Sequence, residues 1–205
     1  MIALRNDLIL SFWDRNASKQ ACRNLSACFD VVVLAGASGL GGIAGFTVRR
    51  GLCEGTYALA DVAVGLENSP ALHALFGGLE NSRQLVSGMR LNLRRMRGYM
   101  YVDDRDGSLV ASLDYVNKGD ERDLYLDFVH ELAHIKQLRE GRELFDRKTE
   151  YAESPIEIEA YRVVVNECLR LGLAWKEIRD YIYMDWLEPE EFARLLRNIG
   201  VPVSD

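Results

Sequence analysis

The chain has 205 residues, 48% of them hydrophobic, and a formal net charge of −6. That is enough apolar material for the core of one domain, or of one domain with a subdomain. The acidic balance argues against broad nucleic-acid binding, which asks for a basic surface, so no nucleic-acid partner is expected.

The first residues, Met1 to Leu8, carry no basic segment followed by a long apolar one and a small-residue cleavage site. The 4 cysteines (Cys22, Cys28, Cys53, Cys168) show no C-x-x-C spacing. They read as free or buried thiols of a reducing compartment, and a cytoplasmic protein is expected. Residues 31–46 form a glycine-rich apolar stretch of 16 residues, too short and too weakly apolar to cross a bilayer, so no membrane partner is expected. Gly36, Gly39 and Gly41 after a Val-rich run resemble the turn that approaches a pyrophosphate. No βαβ unit or ribose-binding acid follows them, so a nucleotide site in the Gly36 to Gly42 segment stays a minor alternative to a packed or flexible glycine segment.

From residue 57 to 96 the pattern is mainly helical. Ala58, Leu59, Val62 and Leu66 share a face, Asn68-Ser69-Pro70 breaks the run, and Val86, Met89, Leu93 and Met96 carry a stripe onward. Residues 1–98 therefore read as a helical scaffold region. Arg90, Arg94, Arg95 and Arg97 cluster there, and we read them as a solvated face or as ion-pair partners. At residue 99 the period changes to two. Tyr99 to Asp103 and Leu109 to Val116 flank Asp106-Gly107, the signal of a β-hairpin.

The hairpin leads into His130-Glu131-Leu132-Ala133-His134. On a helix, residues i and i+4 share a face one turn apart, so both imidazoles reach one ion while Glu131 faces the water that the ion would activate. The flanks supply the helix: Asp120 as N-cap, acids in the first turn, an apolar stripe of Leu124, Phe128, Val129, Leu132 and Ile135, and Gly141 as a stop. By average residue usage this triplet arises by accident in roughly one chain of this length in a hundred or more. The chain has only 3 histidines, and two of them are here.

Catalytic zinc usually takes three protein ligands. His73 lies far upstream, and Glu140 stands where the third histidine of H-E-x-x-H-x-x-G-x-x-H would be, so a carboxylate must complete the site. Downstream, Ser154, Pro155 and Glu157 have the form of a capping box, which would occupy Glu157 at a helix end. Glu159 shares a face with Ile156, Ala160 and Val163 and becomes the expected ligand beside His130 and His134. Glu167, two turns on, is a weaker candidate ligand and a candidate partner for a histidine.

His130-Glu131-Leu132-Ala133-His134 followed by Glu159-Ala160 resembles the gluzincin zinc metallopeptidases, with the compact ImmA/IrrE-like peptidases nearest in size. The resemblance spans about residues 99–172. It implies Zn2+, peptide-bond hydrolysis of a peptide or protein substrate, and a small sheet whose edge strand borders the cleft; residues 108–116 are the candidate strand. The expected fold is therefore α+β, zincin-like and mostly helical, with a small antiparallel sheet or hairpin before the active-site helix. Residues 99–205 form the metal-binding region, packed with residues 1–98 as one domain.

In this reading Glu131 is the general base, and Tyr161 and Tyr151 are candidate donors to an oxyanion. Further helices follow. Trp175, Ile178, Tyr181, Ile182 and Trp186 form a stripe read as core, and Pro189 opens a last helix closed by Gly200. A catalytically inactive zincin-like module that binds a partner is the other alternative.

Overall fold

The computed structural model describes residues 45–145 and 148–204. The Gly36 to Gly42 segment, Cys22 and Cys28 lie outside the described residues. The fold is α+β, with eight α-helices and two small sheets among the described residues. No helix among them is long and apolar enough to cross a membrane.

The smaller sheet pairs β1 (Thr47–Val48) with β3 (Ala63–Val64), antiparallel. The larger has the order β2-β4-β6-β5, where β2 is Gly55–Ala58, β4 Arg90–Arg94, β5 Met100–Asp103 and β6 Ser108–Ser112. Strands from both sides of residue 98 thus share one sheet. The stripe expected to run through Leu93 as helix breaks at Gly88, where α3 (Leu79–Gly88) ends. Leu91 and Leu93 are buried on either side of half-buried Asn92, the period-two signature of a strand, and β4 lies inside the sheet. The sheet is not wholly antiparallel either: β4 and β6 run parallel, because the chain crosses to the outer position to form β5 and returns between β4 and β5 as β6.

The expected hairpin is present as β5 and β6, turning through Gly107 at φ 68°. Its outcome for the cleft is the reverse of the expectation. Residues 108–112 form an interior strand, buried at every position, and residues 113–118 belong to α4 (Leu113–Lys118). The edge is β5. Ser112 donates its N–H to the Tyr99 carbonyl at 2.8 Å, so in the alternating antiparallel ladder Tyr99, Tyr101 and Asp103 bond inward. Met100 and Val102 turn their N–H and C=O groups outward.

The motif helix is α5 (Glu121–Arg139), and its local signals act as expected. Asp120 caps it, accepting from the backbone N–H groups of Arg122 (2.9 Å) and Asp123 (3.2 Å), and Gly141 ends it at φ 78°. Leu124, Phe128 and Leu132 join the buried cluster that includes Leu91, Leu93 and Leu109 of the sheet. Tyr125, Val129, His130, Glu131, His134 and Gln137 are buried too. A helix enclosed on nearly all sides places its polar groups where each needs a partner.

Helix α6 (Pro155–Arg170) packs on α5, starting with Pro155 in the first turn. A polar network joins them at the far end to α2 (Pro70–Phe76). The Tyr125 hydroxyl donates to Glu167 at 2.5 Å and pairs with the Ser69 hydroxyl at 2.7 Å, and Arg170 makes two bonds to the Glu167 carboxylate. In the later helices, α7 (Trp175–Ile182) and α8 (Pro189–Ile199), the expected aromatic core is only partly a core. Ile178 and Ile182 are buried, whereas Trp175 and Trp186 are exposed at 37% and 50%. Helix α7 stops at Ile182, which leaves Trp186 in the connection to α8.

Candidate metal centre

His130 and His134 lie one turn apart on α5, with Nε2 to Nε2 at 3.0 Å and rings 4.6 Å apart. The carboxylate that meets them is Glu157, not Glu159. Glu157 Oε2 is 3.5 Å from His130 Nε2 and 3.7 Å from His134 Nε2. Among the described residues these three side chains form a group able to hold one metal ion.

Glu159 points elsewhere, into a salt bridge with Arg142. The expected capping box does not form: Ser154 stands at the N-cap position but its side chain makes no capping bond, so Glu157 is not drawn back to the helix end. It turns inward with Tyr161, one turn later, whose ring packs against His130 at 4.4 Å. The Glu-Ala pair that carried the family resemblance is therefore not at the centre. Glu167 is likewise committed to Tyr125 and Arg170 and touches neither histidine.

Two residues that the sequence did not single out complete the setting. Gln137, 1% exposed, accepts from His134 Nδ1 at 2.8 Å and donates to the Ile156 carbonyl at 3.0 Å, next to Glu157. That bond puts the Nδ1 proton on His134 and turns Nε2 toward the other ligands. The spacing carries a signal in hindsight, since position i+3 from His134 lies on the same helix face. Asp127, one turn before Glu131, accepts from Tyr115 Oη at 2.5 Å and Tyr181 Oη at 2.6 Å.

Tyr161 and Tyr151, the candidate hydroxyl donors, lie together, 3.1 Å apart through their oxygens, with Trp186 against Tyr151 at 5.0 Å.

The electrostatics fit a cation site. Burial raises the Glu131 carboxyl to about 8, helped by Glu157 and Asp127 and opposed by His134 and the Val102 N–H. Burial depresses His130. It pulls the same way on His134, but the bond and charge of Glu157 outweigh it and leave His134 raised to about 9. Burial likewise pushes Glu157 up, and the two histidines overcome it, holding that carboxylate well below its usual range. In the cation-free protein a proton thus sits on His134, between a neutral imidazole and an anion.

The donor set fits zinc. Tetrahedral ligands about 2.0–2.1 Å from an ion stand roughly 3.3 Å apart, close to the three separations here. Buried Glu157 Oε2 has the two imidazole nitrogens to meet it, at 3.5 and 3.7 Å, so the anion is stabilised there by a positive charge, carried by His134 or by a bound cation.

No family model, curated protein or solved structure matches this chain.

Proposed function

We propose that this chain is a zinc-dependent metallopeptidase of the zincin kind, hydrolysing peptide bonds with Glu131 as general base. The observation that carries the reading is the convergence of His130 Nε2, His134 Nε2 and Glu157 Oε2 within 3.7 Å of one another, with buried Glu131 beside them. Three protein ligands and an adjacent carboxylate are the set that zinc hydrolases use.

A zinc ion held by these three residues supplies Lewis acidity and a water of pKa about 7. The rest is the work of the chain. Glu131 is buried and carries its own proton near neutrality in the cation-free protein; beside a dication the charged form is favoured, leaving a carboxylate that accepts the proton of the attacking water. Glu131 then delivers that proton to the departing amine nitrogen. Gln137 keeps the His134 lone pair aimed at the site. The outward groups of Met100 and the Val102 carbonyl suit an extended peptide added beside β5, close to Glu131, to which the Val102 N–H donates.

The test joins composition to activity. Purified protein should hold about one zinc per chain, lost in Glu157→Ala and kept in Glu159→Ala, and it should cleave members of a peptide library that Glu131→Gln leaves intact. Absence of zinc after adding it back, or full zinc in Glu157→Ala, would end this reading.

A further inference from the structure

The face of α5 that bears Glu131 and the two histidines carries one carboxylate that the chemistry above does not use. Asp127 lies one turn ahead of Glu131 and three residues before His130, and its charge is felt at both Glu131 and Tyr161. Two phenol hydroxyls from different helices hold it, Tyr115 of α4 on Oδ2 and Tyr181 of α7 on Oδ1. Its position is therefore fixed by two elements, while each oxygen keeps a further lone pair.

No cationic side chain among the described residues pairs with it. Burial pushes the Asp127 carboxyl up to about 6, Asp123 adds to this, and the two phenols pull it back. Near neutral pH it is thus an anion held by hydrogen bonds but without a counter-charge, which favours an incoming cation.

We infer that Asp127 is a recognition subsite for a primary ammonium group of the substrate, placed beside the scissile bond; the inference rests on the metallopeptidase reading. Placement agrees with it: Asp127 and Glu131 are i and i+4 on one helix and so share a face. A free α-amine or a lysine side chain supplies the group. Tyr115 and Tyr181 are positioning residues in this arrangement, since they touch the carboxylate and hold it in place.

The experiment measures binding without turnover. Zinc-loaded Glu131→Gln protein is titrated calorimetrically with three matched pentapeptides: one with a free N-terminus and neutral side chains, one N-acetylated with a central lysine, and one N-acetylated with norleucine there. At least one cationic peptide should bind about tenfold more tightly than the norleucine peptide. The first two peptides tell which ammonium source is read. Adding Asp127→Asn should abolish the difference, whereas adding Tyr181→Phe, which removes a clamp but leaves the charge, should preserve it.

Equal affinity for all three peptides, no binding of any, or a difference that survives Asp127→Asn overturns the inference. A protein that holds zinc and cleaves peptides without this preference sinks only the subsite. One that shows the preference but cleaves nothing sinks only the peptidase.

Discussion

Gln137 offers the sharpest perturbation, because one buried amide serves both helices of the centre. In Gln137→Leu the His134 Nδ1–H loses the acceptor now at 2.8 Å, and the Ile156 carbonyl loses the donor at 3.0 Å. A buried donor left unsatisfied costs about 1–3 kcal/mol, and loss of such a supporting bond typically weakens metal binding about 10–100-fold. Zinc affinity, measured by competition with a chromogenic chelator, should fall by that factor. Gln137→Glu keeps an acceptor for the Nδ1–H, and its charge makes His134 a more basic ligand, so its affinity should return to within several-fold of the original. Melting curves of the metal-free proteins separate this effect from folding. A Gln137→Leu protein that binds zinc within twofold of the unaltered chain would refute the reasoning.

Metal uptake should release protons. His134 is raised to about 9 in the cation-free protein, so near neutral pH zinc must displace its proton, and apparent affinity should climb by up to tenfold per unit as pH rises toward 9, then flatten. Calorimetry in two buffers of different ionisation enthalpy counts the protons, and affinity that is flat between pH 7 and 9 counts against a charged His134. Away from the centre, Tyr125→Phe removes the donor to Glu167 and the link to Ser69. Urea denaturation should show a loss of about 1–3 kcal/mol with zinc stoichiometry unchanged.

What was legible in the sequence was what is local. The α5 boundaries follow from Asp120, the apolar stripe and Gly141, each acting within a turn of its position, and the pairing of His130 with His134 is fixed by helix geometry alone. The third ligand was not local. Choosing Glu157 over Glu159 depends on how α6 rolls against α5, and that is set by the packing of Ile156, Ala160 and Val164, not by the first-turn residues that suggested a capping box. Glu167, expected as a weaker ligand candidate or a histidine's partner, is buried, but its partners are Tyr125 and Arg170. The edge strand was missed for a similar reason: sequence order puts the second hairpin strand nearest the motif, while β4, hidden in a run with helical spacing, claims that strand's other side.

The Arg142–Glu159 pair bears on the metal centre. Glu157 and Glu159 are two residues apart, so their side chains leave the helix about 200° from each other. One anion is held by two histidines and the other by a guanidinium from the loop after α5, with Gln137 of α5 also bonding to Glu159. The half-exposed pair therefore reaches the centre through the same amide that holds His134, and a charge reversal at Arg142 would act on zinc through Gln137 without touching a ligand.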